Sequence, residues 1–215
     1  MNTKAIIFDL DGTLLDTLQD LYASVNHALT HFSLPNRSKT EVRQFLGNGV
    51  RRLIELSMPE GSDAATTEAV LAEFKTYYLQ HSLDTTRPYD GIEKMLEKCR
   101  EMGLKTAIVS NKLNPAVQDL RHRFFADNVD IAIGETREIR RKPAPDMLQA
   151  VMEELKVTNC ETIYVGDSEV DLQTAKNAST ECIAVAWGFR GRKFLEQQGA
   201  TTIIDNPSEL IQHLA

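Results

Sequence analysis

The stretch AIIFDLDGT, Ala5 to Thr13, gives the first indication of the fold class of this chain. Its first four residues are apolar and run directly into Asp9, which Asp11 and Gly12 follow closely. A short apolar run bounded by turn residues is typical of a strand buried in a parallel sheet. Two carboxylates at the end of such a strand repel each other and lose hydration unless a cation or a proton offsets their charge. The stretch therefore predicts a buried strand that ends at a chemically active or metal-binding site.

Five more short apolar runs follow along the chain, with helical patterns between them. The runs are Thr106 to Val109, Val129 to Ile133, Thr162 to Val165, Ile183 to Ala186 and Thr202 to Ile204. Gly91 to Met102 and Met147 to Leu155 have the apolar spacing of amphipathic helices. Alternating strands and helices predict an α/β fold with a doubly wound, mostly parallel Rossmann-like sheet.

The interval after the first strand is too long for one crossover, which needs about thirty residues. It contains three helical patterns, and the second is broken at Gly47-Asn48-Gly49. We therefore predict a small helical cap domain, residues 17–84, inserted after strand one. Residues 1–16 and 85–215 then form the catalytic α/β core domain. The linkers are expected near Leu15 to Thr17 and Thr85 to Pro88.

Composition narrows the class of protein. The chain has 215 residues, 42% of them hydrophobic, and a formal net charge of −7, which argues against nucleic acid as a partner. Its three cysteines lack the spacing of a zinc site and are expected to be reduced. No apolar stretch approaches the eighteen residues of a membrane span. We expect a cytoplasmic monomer or homodimer that does not bind membranes and whose partner is a small molecule.

Polar residues follow three of the predicted strands. Asp9 ends the first strand, Ser110 and Asn111 end the second, and Asp167 follows the strand at Thr162 to Val165. The carboxyl ends of parallel strands border one crevice, where ligands bind. Each residue alone fits an ordinary Asp-Gly turn or a helix N-cap equally well. Together they favour a shared site.

Four motifs in order carry a family resemblance. They are DLDGT at Asp9 to Thr13, VSN at Val109 to Asn111, RKPAPD at Arg141 to Asp146 and GDSEVD at Gly166 to Asp171. With these motifs the chain resembles the haloacid dehalogenase superfamily of phosphohydrolases over essentially its whole length. Three weaker signals are similar to its phosphoglycolate phosphatase branch. They are LGNGVRRLIE at Leu46 to Glu55, SNK ending at Lys112, and AWGFRG at Ala186 to Gly191.

The resemblance implies a phosphatase that hydrolyses a small, phosphoglycolate-like phosphomonoester. Asp9 would be the nucleophile that forms an aspartyl-phosphate, and Asp11 the general acid and then the general base. Mg²⁺ would be held by the Asp9 carboxylate, the Asp11 backbone carbonyl and the Asp167 carboxylate. Asp171 would not bind the metal directly but would orient the waters on the metal or steady the loop.

The same resemblance implies the donors that face the phosphoryl oxygens. They are the Ser110 hydroxyl, the Asn111 backbone N–H, the Lys142 ammonium and the backbone N–H groups around Gly12. Gly12 would allow close approach of the backbone, and Thr13 would stabilise the turn.

Substrate choice is expected to lie in the cap, because the core groups all engage the phosphoryl unit. We predict that Asn48 and Arg51 lie at the lid surface that closes over the phosphate. Arg51 or Arg52 could then hold a carboxylate of the substrate through paired donors. The alternative is a plain connection between helices, with Arg51 in solvent.

Other functions fit the sequence less well. A sugar-phosphate mutase shares the core motifs but returns the phosphoryl group to its substrate. A phospho-receiver domain has a similar sheet and a strand-end aspartate, yet needs neither Asp11 nor a helical lid. A dehalogenase needs no leaving-group acid, a phosphonate hydrolase needs a lid lysine in a suitable setting, and a binding module has no evident use for both Asp9 and Asp11.

Overall fold

The computed structural model describes residues 3–214, and its centre is a six-stranded parallel sheet. The strands are β1 (Ala5–Phe8), β2 (Leu15–Asp16), β3 (Arg87–Pro88), β4 (Lys105–Leu113), β5 (Ile131–Glu135), β6 (Thr162–Gly166), β7 (Glu181–Val185) and β8 (Ile203–Ile204). The sheet order is β5-β4-β1-β6-β7-β8, whereas β2 and β3 form a separate antiparallel pair. This topology confirms the predicted doubly wound α/β fold.

Helices connect the strands of the central sheet and fill the interval between β2 and β3. They are α1 (Leu18–His31), α2 (Lys39–Phe45), α3 (Gly49–Ser57), α4 (Ala64–His81), α5 (Ile92–Glu101), α6 (Asn114–Phe125), α7 (Asp146–Leu155), α8 (Glu169–Asn177), α9 (Arg192–Gln197) and α10 (Ser208–Leu214). Within residues 3–214, none of them combines the length and the apolar character needed to cross a bilayer.

Strand β1 lies in the middle of the sheet and is fully buried on both faces. Ile6 and Phe8 belong to the hydrophobic cluster that α5, α6 and α10 cover. Ala5 and Ile7 point to the opposite face, into the cluster covered by α7 and α8. A strand with helices on both sides has no polar face, which explains its uninterrupted apolar run.

Strand β4 is longer than predicted. The apolar run predicted its end at Val109, but the strand continues through polar residues to Leu113. Ser110, Asn111 and Lys112 are buried rather than forming a loop. The register of β4 with β5 shifts between Val109 and Leu113. This irregularity changes the direction of the side chains at the end of the strand, where we expected the site.

The four helices between β2 and β3, α1 to α4, form a helical segment with a hydrophobic cluster of its own. Helices α1 to α4 contribute nearly all its buried members, and Ala116 and Phe189 join from outside the segment. Helix α2 starts with a capping box between Ser38 and Glu41. Helix α3 begins at Gly49, the last residue of the predicted break. The division into a cap at residues 17–84 and a core stays a prediction.

The predicted linkers pair with each other. Leu15 pairs with Pro88 and Asp16 with Arg87 in the β2–β3 ribbon. Two-residue strands carry no periodicity, so the sequence did not indicate them. Beside the ribbon, the buried carboxylate of Asp20 accepts hydrogen bonds from the backbone and side chains of Thr85 and Thr86. These bonds fix the start of α1 against the returning chain.

Candidate functional site

The polar strand ends meet at one cavity between the sheet and the helical segment. Asp9 follows β1, and its neighbours β4 and β6 bring Ser110 and Asp167 to the same edge. The cavity has a volume of about 50 Å³. Its walls on the helical side are mostly apolar and come from Leu21, Leu46, Gly47, Gly49, Val50 and Leu53. The convergence that we predicted from the strand ends is therefore present.

Three buried carboxylates form a cluster at the floor of this site. Oxygen atoms of Asp9, Asp167 and Asp171 lie within 4.8 Å of one another. Lys142 lies 2.8 Å from both Asp9 Oδ1 and Asp171 Oδ1. When all three carboxylates are ionised, one ammonium leaves a formal net charge of two negative units uncompensated. Such a cluster of oxygen donors fits a hard divalent cation such as Mg²⁺.

The proton affinities of the cluster support this interpretation. Burial, reinforced by the carboxylates of Asp171 and Asp11 and opposed by the ammonium of Lys142, raises the pKa of Asp9 to about 7. Burial also raises the pKa of Asp167 well above its ordinary value, and Asp171 and Asp9 add to the rise. A positive charge placed among these carboxylates would therefore stabilise their ionised forms.

Asp171 is held by the protein on both oxygens. Its Oδ1 accepts hydrogen bonds from Lys142 Nζ at 2.8 Å and Tyr164 OH at 2.9 Å. Its Oδ2 accepts from the backbone N–H of Ser168 at 3.1 Å and from the Ser168 hydroxyl at 2.6 Å. This arrangement is a capping box that starts α8 next to Asp167. The geometry is compatible with the predicted role of Asp171 in steadying the loop.

Asp11 lies beside the cluster and pairs with a different lysine. Lys112 Nζ is 2.8 Å from Asp11 Oδ1, and the Lys112 side chain is 1% exposed. The face of the Tyr78 ring, from α4, lies 4.6 Å from the same ammonium. Burial opposes the charge, but Asp11 and Tyr78 raise the pKa of Lys112 above its ordinary value. The sequence analysis used Lys112 only as the last residue of the SNK signal and assigned it no role in the site.

Ser110 and Asn111 occupy the positions that the sequence predicted, with one difference. Ser110 is buried and lines the cavity. The Asn111 side chain donates through Nδ2 to the carbonyls of Gly47 and Lys142, both at 3.0 Å. It therefore ties the loop before α3 to the core, a function that the sequence analysis did not assign.

The turn after β1 is packed tightly against Asp167. Gly12 has φ of +87°, and a Cβ there would lie 2.5 Å from Asp167 Oδ2. Its lack of a side chain thus admits the carboxylate as well as the turn. The hydroxyl of Thr13 lies 3.5 Å from Asp167 Oδ1. The carbonyl of Thr13 accepts from Trp187 Nε1 at 3.0 Å, which anchors the turn to the segment after β7.

The predicted cap contacts differ from the structure. Gly47, Gly49 and Val50 line the cavity, whereas Asn48 and Arg51 do not. Arg51 is about half exposed, and its guanidinium pairs with Glu68 of α4. Because α3 turns its apolar residues toward the cavity, Arg51 falls on the solvent side. Arg52 is directed elsewhere too, to Glu55 on its own helix.

Sequence reasoning missed the role of the segment after β7. The backbone N–H of Phe189 donates to Asp167 Oδ2 at 2.6 Å. Arg43 of α2 donates to the carbonyls of Gly188 and Phe189 at 2.8 and 2.6 Å. In return, Arg190 donates to the carbonyl of Leu46 at 2.8 Å and pairs with Glu169. The AWGFRG motif was the available signal, but its contacts depend on the helical segment.

Comparisons with known proteins agree with this geometry. The family model described as haloacid dehalogenase-like hydrolase matches residues 6–185. An N-acetylmuramic acid 6-phosphate phosphatase of Pseudomonas aeruginosa is 29% identical over 100% of this chain and 96% of its own. Phosphoglycolate phosphatase 1 of the same organism is 31% identical over 97% of this chain and 78% of its own.

A solved structure is similar over the full length. It is that of a candidate phosphoglycolate phosphatase from Lactobacillus delbrueckii subsp. bulgaricus, with a TM-score of 0.94 and 37% identity. The alignment covers 100% of this chain and 99% of that one. With the four motifs, the parallel sheet and the carboxylate site, these matches show that the chain belongs to the haloacid dehalogenase-like hydrolases and, within them, resembles the phosphoglycolate phosphatases.

Proposed function

We propose that this protein is a Mg²⁺-dependent phosphatase that hydrolyses a small phosphomonoester through an aspartyl-phosphate. The observation that carries the proposal is the buried group of Asp9, Asp167 and Asp171 with Lys142, at the same cavity as a second pair, Asp11 and Lys112. A hydrolase that uses a carboxylate nucleophile needs one carboxylate to attack and another to move protons. The cavity supplies both.

Asp9 is the nucleophile in this proposal. One of its oxygens attacks phosphorus, and the bond from phosphorus to the leaving oxygen breaks. Lys142, 2.8 Å from Asp9 Oδ1, favours the ionised carboxylate against the effect of burial and holds it in place. The Asp9 carboxylate, the Asp11 backbone carbonyl and the Asp167 carboxylate would hold Mg²⁺, which supplies positive charge for the transferring phosphoryl group.

Asp11 moves the protons. It gives a proton to the departing alkoxide in the first displacement and takes one from the attacking water in the second. Water then releases phosphate from Asp9 and restores the carboxylate. Ser110, the backbone N–H of Asn111 and the Lys142 ammonium donate to the phosphoryl oxygens. Each of these residues lines the cavity.

The choice of substrates to test follows from the relatives. The cavity between the core and the helical segment is lined by Asp9, Asp11 and Lys142 on the core side, where a phosphoryl group would bind. Phosphoglycolate is the first compound to test, because several similar proteins are phosphoglycolate phosphatases. N-acetylmuramic acid 6-phosphate is the second.

The test is phosphate release across a panel of phosphorylated metabolites, with Mg²⁺ and with excess chelator. We expect phosphate release that requires Mg²⁺ and that Asp9→Asn abolishes. A sugar-phosphate mutase would instead give an isomeric sugar phosphate without net phosphate release. Release of phosphate at the full rate by Asp9→Asn would refute the proposed mechanism.

A further inference from the structure

We infer that Lys112 is a positioning residue for the proton-transfer step and that Tyr78 of the helical segment holds it in place. The inference rests on the proposed phosphatase function and extends it. It assigns a task to the lysine of the SNK motif, which touches neither Asp9 nor the carboxylate cluster. It also connects the helical segment to proton transfer through the contact between Tyr78 and Lys112.

Lys112 is placed by the strand on which it lies. The register shift in β4 follows Val109, and Lys112 lies in the irregular part. Its backbone N–H donates to Ser110 Oγ at 3.3 Å, which fixes the start of the side chain beside the cavity. The side chain is 1% exposed, and the ammonium ends 2.8 Å from Asp11 Oδ1. A buried ammonium holds such a partner firmly, because losing the partner would leave an unpaired charge.

The ion pair gives the two oxygens of Asp11 different roles: one binds Lys112, and the other can transfer a proton. Lys112 occupies Oδ1, and no other residue among 3–214 donates a hydrogen bond to the Asp11 side chain. Oδ2 therefore remains for the leaving oxygen and later for water. An Asp side chain with both oxygens unrestrained rotates about its last torsion, which has two broad wells. Lys112 restricts that rotation and keeps the proton-carrying oxygen at the cavity.

Tyr78 supplies the other side of the lysine site. Its ring face lies 4.6 Å from Lys112 Nζ, within the range of a cation–π contact. Tyr78 is fully buried in α4 and stacks on Phe74 with ring centroids 5.5 Å apart. The ring is therefore fixed by the packing of the helical segment. If that segment moves away, Lys112 gains water and loosens its hold on Asp11, so that proton transfer requires the packed arrangement.

The experiment compares substrates that differ in how much they need a proton. Alkyl phosphates release a poor leaving group and depend on Asp11, whereas p-nitrophenyl phosphate releases a phenolate that leaves without a proton. We expect Lys112→Met to lower kcat/KM for an alkyl phosphate by about 10²-fold. For p-nitrophenyl phosphate, the loss should stay below about 5-fold, since the other groups at the cavity are intact. Lys112→Arg, which keeps the charge, should recover part of the loss on the alkyl phosphate.

A second pair of variants tests the tyrosine without touching Asp11. Tyr78→Leu removes the ring and should lower kcat/KM on the alkyl phosphate by about 10-fold more than on the aryl phosphate. Tyr78→Phe keeps the ring and should not show this selectivity. These two variants test the positioning role even if thermal unfolding measurements show that the Lys112→Met variant is not folded. Lys105→Met is the matched control on the same strand, because Lys105 bonds the carbonyl of Leu155, away from the cavity.

Two results would overturn the inference. If the wild-type protein releases phosphate but Lys112→Met and Tyr78→Leu lower kcat/KM equally on both substrates, the positioning role is wrong and the proposed function stands. If the wild-type protein releases no phosphate from any substrate, the proposed function fails and the inference fails with it. A loss confined to alkyl phosphates in Lys112→Met and Tyr78→Leu supports it.

Discussion

Gly188→Ala probes the proposed metal site without changing any of the proposed ligands. A Cβ on Gly188 would lie 2.3 Å from Asp167 Cβ and 2.4 Å from the carbonyl oxygen of Gly12. The loop cannot withdraw freely, because the next residue, Phe189, donates its backbone N–H to Asp167 Oδ2 at 2.6 Å. Relief of the clash must therefore displace Asp167, the turn at Gly12, or both.

The magnitude follows from those distances. Carbon atoms in contact need about 3.5 Å, so the displacement is on the order of 1 Å. Overpacking of this kind costs about 1–3 kcal/mol. Disturbing the groups that orient a metal ligand lowers metal affinity by about 10–100-fold. We therefore expect Gly188→Ala to need about 10–100 times more Mg²⁺ for half-maximal phosphate release.

The assay is phosphate release as a function of Mg²⁺ concentration, with thermal unfolding measured in parallel. Gly61→Ala is the control, because Gly61 has φ of +81° and open space where its Cβ would lie. It should lose some stability and keep the Mg²⁺ dependence of the wild type. An unchanged Mg²⁺ dependence in a folded Gly188→Ala variant would refute Asp167 as a metal ligand.

Further predictions concern catalysis, metal, pH and the cap. Asp9→Asn should abolish turnover with the fold retained, and Asp11→Asn should lower the rate by at least about 10²; phosphate release and circular dichroism measure both. Excess chelator should stop turnover and Mg²⁺ should restore it, whereas Ca²⁺ should inhibit, since its looser coordination lets it occupy both oxygens of Asp9. In chelator, folded Asp9 keeps its proton up to a pKa of about 7 against an ordinary value of 3.8, so its contribution to stability should fall as pH rises between these values. Denaturant unfolding should show this pH dependence in the wild type and a weaker one in Asp9→Asn. Arg51→Ala should change kcat/KM for the best substrate less than about 3-fold, because Arg51 does not line the cavity and forms an exposed ion pair with Glu68.

The sheet and the carboxylate site could be predicted from the sequence because their signals are local. Four apolar residues before Asp9, followed by turn residues, favour a strand that is buried on both faces of a parallel sheet. The positions of Ser110 and Asp167 after further apolar runs then place them at the same edge. The family motifs agreed with these positions, and the comparisons confirmed the family.

The side of the cavity that the helical segment forms was harder to predict. The sequence indicated a turn between two helices, but the rotation of α3 decides which residues face the site. Val50 faces the cavity and Arg51 faces Glu68, and one position along a helix changes direction by about 100°. A prediction based on residue type alone therefore chose the charged neighbour instead of the apolar residue.

The sequence alone indicated the strand that presents Asp9 and Asp11 and the alternation of strands with helices, because each depends on residues close together in the chain. Tertiary structure decided the partners of those carboxylates. Lys112 reaches Asp11 across 101 positions of sequence, and the N–H of Phe189 reaches Asp167 across 22. Such contacts depend on strand register and helix packing, which place atoms to within about 1 Å, whereas a sequence pattern specifies which face is buried and leaves the partner open.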